Sequence, residues 1–259
     1  MDVGIRESVG VARAKAVPGS ERVAFVMAIN VLYEDNHLLV VNKPSELPTM
    51  GATPGMPSLH ALACDYVRVR YAKPGKVYLG VVMRLDAGTS GVVVFARTSK
   101  AAARVSQALR EHRCDKWYWA VLERRPAESQ AVLEDWLVKD EEAQRMRVVA
   151  PRTSGAKQAR LQYRVVRELR RGFLIAVALE TGRKHQIRAQ FSYRGWPLLG
   201  DRKYGARHDF SSTGFALHAA MLGLQHPVKQ EPMRFRAPLP SNWIARGVGP
   251  DEWPEFPLK

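Results

Sequence analysis

The sequence predicts an α+β domain: a large, mainly antiparallel sheet with flanking helices. Three observations predict it. Short apolar runs rich in Val, Ile, Leu and aromatics outnumber the helical stretches. These runs follow one another through short polar turns rather than long helical crossovers, which favours antiparallel pairing. About three segments with helical period are interspersed among them. No internal repeat or low-complexity block breaks the 259 residues, and no second boundary follows residue 30. The expected organisation is therefore an unstructured extension over 1–26, one domain over 27–245 and a C-terminal tail over 246–259.

The elements follow in order. HLLVVNKP, His37 to Pro44, is an apolar run closed by proline and reads as a buried strand. A Gly/Pro-rich loop, LPTMGATPGMPS, leads to a helix over Leu59 to Tyr71. LGVVMRLDAGTSGVVVFART gives two β-rich runs flanking the turn AGTSG. Ser99 is the expected N-cap of a helix running to about His112, with Val105, Ala108 and Leu109 on one face. KWYWAVLE is strand-like, and residues 131–180 hold several strands, including a hairpin that turns at Arg171-Gly172. GRKHQIRAQFSYR is expected to be a helix ended by Gly195. The Pro-rich end is expected to wrap the surface.

Charge narrows the function. Lys and Arg number 40 against 25 Asp and Glu, a formal charge of +15. A surplus of that size points to a polyanionic partner, because binding phosphates releases their counterions. Nucleic acid fits better than an anionic membrane, since no basic amphipathic helix with an aromatic face is visible. The opening residues contain no apolar core of signal-peptide length, and the run Val23 to Tyr33 is too short to span a bilayer. Two distant cysteines, Cys64 and Cys114, make neither a disulfide framework nor a zinc knuckle, and a reducing cytoplasm is the simpler home. Walker, dinucleotide-glycine, HExxH and nucleophile-elbow signatures are absent, which argues against a nucleotide cofactor or a metal.

Three stretches can carry chemistry. In Met83-Arg84-Leu85-Asp86-Ala87-Gly88-Thr89-Ser90-Gly91 a carboxylate falls at the mouth of a turn between apolar runs, where it faces a cleft on a fixed backbone. Asp is equally a common turn-former and Arg84 an ordinary surface charge. Thr181-Gly182-Arg183-Lys184-His185-Gln186-Ile187-Arg188 gathers basic and amide side chains at a helix start, where free amides also suit phosphate. A solvated basic face would look the same, and no second ligand sits at zinc spacing from His185. In Lys116-Trp117-Tyr118-Trp119-Ala120 alternation puts Trp117 and Trp119 on one face of a strand and Lys116 and Tyr118 on the other. Aromatic and basic residues together suit an unpaired base, while core packing explains at least one tryptophan.

Taken in this order, the three stretches resemble the RluA-type pseudouridine synthases. MRLDAGTSG is similar to that family's HRLDxxTSG motif, KWYWA to its KxYxA strand and TGRKHQIR to its TGRxHQIR helix. YEDNHLLVVNKP, LLGDRKYG, FALHAAMLGLQHP and FRAPLP resemble further family segments, so the likeness runs from about residue 31 to 243. Met83 departs from the family's usual His and Glu46 from its common Gly. Few residues precede the pattern, so the small N-terminal RNA-binding domain of many members is expected to be missing.

The resemblance implies the pseudouridine synthase fold with a central RNA-binding cleft, and the isomerisation of specific uridines in structured rRNA or tRNA without any cofactor. It implies Asp86 as the catalytic carboxylate, Tyr118 against the uracil and Arg188 as the partner that keeps Asp86 ionised. Arg84 is expected to fill the space left by the flipped base and Ile187 to pack on that base. Thr89, Lys116, Arg183, Lys184, His185 and Gln186 are expected to contact the substrate. The protein is expected to be a monomer. Two other classes compete: a non-catalytic RNA-binding or assembly factor on the same fold, whose binding would be indifferent to Asp86, and a glycoside hydrolase, which generally needs two carboxylates across the bond.

Overall fold

A computed structural model describes residues 29–51, 57–211 and 214–249. The expected extension over 1–26 lies outside the described residues. An eleven-stranded sheet organises the molecule. Its strands are β1 (Asn30–Glu34), β2 (Leu38–Lys43), β3 (Gly80–Val81), β4 (Ser90–Ala96), β5 (Asp115–Leu122), β6 (Gln130–Asp140), β7 (Arg145–Val149), β8 (Lys157–Glu168), β9 (Phe173–Leu179), β10 (Leu217–Gln225) and β11 (Pro232–Arg236). The order across the sheet is β1-β2-β4-β10-β5-β9-β8-β6-β7, with β3 beside β4 and β11 beside β10. Among the described residues every strand pairing is antiparallel except β4 with β10.

The apolar runs form strands because both faces of the central sheet are covered. On the front, Leu39, Val41, Val93 and Phe95 pack with helix α1 (Leu59–Arg70) and with Ile187 and Phe191 of helix α3 (Gln186–Tyr193). On the back, the alternate residues Leu38, Val40, Val92 and Val94 meet Val105 and Ala108 of helix α2 (Ser99–Arg110), together with Phe235. Farther along the back, Trp119, Leu174 and Ala176 are covered by Trp243, from the short helix α4 (Ser241–Ile244), and by Val248. The alternation along KWYWA is thus realised, with Tyr118 in the front core and Trp119 in the back. The hairpin turn places Leu169 N on Gly172 O at 2.9 Å.

Three local expectations are corrected. The cap of α2 is Thr98, whose hydroxyl accepts from Ala101 N at 3.1 Å; Ser99 is the first helical residue and the helix stops at Arg110. The β-rich run before Asp86 is a ladder only at Gly80–Val81. Beyond it, Leu85 exchanges both backbone hydrogen bonds with the hydroxyl of Thr49, at 2.9 and 3.1 Å, instead of with a strand. The basic helix begins at Gln186, not at Gly182. His185 adopts a left-handed φ of 50°, and residues 181–185 form a turn closed by the Gln186 side chain, which accepts from Thr181 Oγ1 and Arg183 N.

Candidate active site

The loop between β3 and β4 is held on both sides of its carboxylate. Lys43, at the end of β2, is 1% exposed, and its ammonium donates to the carbonyls of Pro44, Leu47 and Ala87 at 2.8, 2.6 and 2.9 Å. Those three acceptors match the three N–H groups of an ammonium. Thr49 fixes Leu85, and Thr89 N closes a turn on Asp86 O at 3.0 Å. At Gly91 the loop enters β4 with φ 116°, where a side chain would put its Cβ 2.2 Å from Ala219 O; glycine is what lets β4 and β10 meet there. The result is an Asp86 side chain that is 25% exposed on a backbone with little freedom.

Opposite stands Arg188, inside α3 and 7% exposed. Its Nη1 donates to Asp86 Oδ2 at 2.8 Å, while Nε and Nη2 grip Asp201 Oδ2 and Oδ1 at 2.7 and 2.9 Å. The guanidinium lies between the rings of Tyr204 and Phe215, 4.7 and 4.3 Å from their centroids. Such stacking and a bidentate carboxylate lock its plane. Burial alone would lower the Arg188 pKa, but the two carboxylates win and it is raised, so the group is a permanent cation.

His185 completes the near surroundings, with Nε2 3.7 Å from Asp86 Oδ1 and Nδ1 2.9 Å from the Tyr204 hydroxyl. Burial pushes it down to about 4, with Arg188, Lys184 and Lys203 acting the same way and Asp86 opposing. Tyr118 is buried in the front core, its phenol pushed well above the ordinary value by burial and then by Asp86. Burial lowers Lys43 to about 7, against the pull of Asp86 and Glu46. A cavity of about 370 Å³ is lined by Arg188 together with Gly88, Asp201, Arg202, Lys203 and Phe215.

The sequence-derived candidates divide. Asp86, Tyr118, His185 and Arg188 converge, and Ile187 is packed in the front core beside them. Arg84 and Lys184 are exposed at the surface. Thr89 is buried, with a hydroxyl that has no hydrogen-bond partner among the described residues. Three others are turned to the protein itself. Gln186 is buried, donating to Arg160 O while its oxygen closes the 181–185 turn. Lys116 Nζ donates to the carbonyls of Glu180 and Thr181, and Arg183 Nε to Gln158 O. They shape the turn that presents His185 and Arg188. Sequence reasoning gave no role to Lys43, Asp201, Tyr204 or Phe215. Asp201 and Tyr204 were within reach, since both lie in LLGDRKYG, and a buried arginine in a helix demands a buried carboxylate.

The arrangement supplies one partly exposed carboxylate on a fixed backbone, a buried cation paired with it at 2.8 Å and a buried phenol within its field. Among the described residues no cluster of three or more His, Cys, Asp or Glu is placed to hold a metal. No helix among them is long and apolar enough to cross a membrane.

Known proteins share this sequence pattern and this fold. The family model described as RNA pseudouridylate synthase matches residues 37–193. Ribosomal large subunit pseudouridine synthase D of Vibrio parahaemolyticus is 34% identical over 233 residues, covering 84% of this chain and 69% of its own. An uncharacterized RNA pseudouridine synthase of Bacillus subtilis is 32% identical over 221 residues, covering 83% and 71%. Among solved structures, human RNA pseudouridylate synthase domain containing 4 superposes with a TM-score of 0.69 at 25% identity, covering 84% of this chain and 92% of its own. A family model that spans more than half of the chain, and relatives above 30% identity over most of it, show that the chain belongs to the RluA-type RNA pseudouridylate synthase family and is an enzyme that isomerises uridine in RNA to pseudouridine.

Proposed function

We propose that Asp86 is the catalytic carboxylate, with Arg188 and Tyr118 as its working partners, and that the target is a uridine in a structured segment of ribosomal RNA. The observation that supports the assignment of Asp86 is its pairing with Arg188, a cation that is itself fixed by Asp201. The reaction breaks the bond from the ribose C1′ to N1 of uracil, turns the base and joins C1′ to C5. The C5 proton leaves and N1 gains one, so nothing is oxidised or reduced. An ionised carboxylate at the sugar serves either as nucleophile or as base. Tyr118 stacks on the uracil and relays the C5 proton, and Ile187 packs on the base. Arg84 fills the gap left by the extruded nucleotide, whose unstacking costs a few kcal/mol. Lys184, exposed at the rim, holds phosphate and positions RNA without reading its sequence.

Ribosomal RNA is favoured over transfer RNA because several relatives are named as ribosomal large subunit synthases. The enzyme works as a monomer in the cytoplasm. The test is tritium release from RNA carrying uridine labelled at C5, taken from cells lacking the enzyme, with wild type and Asp86→Asn side by side. Release by wild type alone is expected. Release by both at similar rates would remove Asp86 from the chemistry.

A further inference from the structure

Arg188 occupies one oxygen of Asp86, Oδ2. The other oxygen, Oδ1, faces the imidazole of His185. Which nitrogen of that ring carries the proton follows from a chain of donors. The Tyr204 hydroxyl accepts from Met146 N at 2.8 Å. Its own single proton is then directed at His185 Nδ1, 2.9 Å away. A ring that accepts at Nδ1 and is neutral carries its proton on Nε2. Nε2 lies 3.7 Å from Asp86 Oδ1.

We infer that His185 is a positioning residue for the reacting carboxylate, held by Tyr204 as the neutral Nε2–H tautomer so that it presents one weak donor to Asp86 Oδ1. The inference rests on the reading of Asp86 as the catalytic carboxylate. The separation is what makes the device useful. At 3.7 Å the contact is longer than a hydrogen bond. Oδ1 therefore keeps its lone pairs for the sugar, whether it bonds to carbon or takes a proton. When the carboxylate regains full charge, a shift of under about 1 Å brings the donor into range. A neutral donor steadies that charge without cancelling it, as an imidazolium would.

Two further facts agree. His185 sits at φ 50°, a left-handed conformation that costs a residue with a side chain about 1 kcal/mol or more and gathers at functional sites. The groups that face its ring are Asp86 from the β3–β4 loop, Arg188 from α3, Lys184 from its own turn, and Lys203 and Tyr204 from the turn at 202–204. Burial first, and then the three cations, keep the ring neutral against the pull of Asp86.

The test uses the full chain, the same C5-tritiated RNA and four variants: His185→Ala, His185→Gln, Tyr204→Phe and Asp86→Asn. The glutamine amide offers an N–H near the position of Nε2. His185→Ala is expected to lower kcat about tenfold, the worth of one neutral hydrogen bond, with apparent KM within about twofold of wild type. His185→Gln should recover most of that loss. Tyr204→Phe, which keeps the ring beside Arg188 but frees the tautomer, should lower kcat in the same direction. Thermal melts that match between the Ala and Gln variants exclude folding as the source of their difference. An unchanged kcat in His185→Ala would overturn the inference. So would a rise in KM at constant kcat, the mark of a phosphate contact, or a glutamine no better than alanine. Turnover by Asp86→Asn would sink the parent assignment. Loss of turnover there, with His185→Ala at the wild-type rate, would sink this inference alone.

Discussion

Arg188 commits two of its three guanidinium nitrogens to Asp201 and only the third to Asp86. The unequal division sets the site. Asp201 is 1% exposed and bidentate, so it fixes the plane of the cation, and Asp86 meets a positive charge already oriented.

Asp201→Asn should therefore act on both stability and turnover. It leaves a buried guanidinium short of charge, a change that typically costs about 3–5 kcal/mol. Urea denaturation should show that loss, and tritium release should fall further than the folded fraction does. Wild-type turnover per folded molecule would mean that Asp86 orients Arg188 without help.

Tyr118 makes the opposite prediction. Its phenol stays protonated, since burial and the neighbouring Asp86 both raise its pKa. Tyr118→Phe keeps the ring and should leave stability within about 1 kcal/mol. If the hydroxyl relays the C5 proton, turnover should fall about a hundredfold. An equal rate would assign the residue to stacking alone.

Gly91 is a test of the scaffold. Its φ of 116° and the 2.2 Å approach of a built Cβ to Ala219 O leave no room for alanine. Gly91→Ala should cost more than about 3 kcal/mol, or prevent folding, because both the backbone angle and the contact between β4 and β10 are lost. Denaturation midpoints comparable to wild type would show that the two strands can part locally.

Acid should weaken the fold through His218. Buried between Ser90 and Ala237, it accepts from Ser90 Oγ at 2.8 Å and donates to Ala237 O at 3.2 Å. Burial lowers it to about 4, only partly offset by the Ala237 carbonyl. The unfolded chain, titrating near 6.5, binds the extra proton first. The contribution is thus complete above pH 6.5 and is lost as pH falls through 4, by up to about 3 kcal/mol. Between pH 7 and pH 4.5, His218→Gln should lose less stability than wild type does. Equal losses would show that the imidazole is already charged or exposed.

Much of this was legible in the sequence because the carriers of the fold are local. Apolar runs such as LLVV and GVVVFA become strands wherever two layers cover them, and Asp86, Tyr118 and Arg188 each sit in a stretch whose pattern is short range. What stayed hidden depended on distant partners. The run before Asp86 reads as a strand, yet Thr49, from another loop, takes the hydrogen bonds of Leu85. Gln186 and Lys116 are expected from the resemblance to contact substrate, and the carbonyls that their side chains serve are not visible in the sequence. Lys43 stands in HLLVVNKP with no role assigned, whereas its ammonium is enclosed by three carbonyls, one of them that of Ala87 beside Asp86.

The place of β10 has a consequence for synthesis. This strand, near the end of the chain, is inserted between β4 and β5 at the middle of the sheet. A growing chain thus carries Asp86, Tyr118 and Arg188 long before it can hold them in one geometry. Until residues 217–225 leave the exit tunnel, the two halves of the sheet have no common strand. The activity should therefore switch on at a single late point in translation, and nascent chains lacking β10 should be inert toward RNA that they already attract by charge.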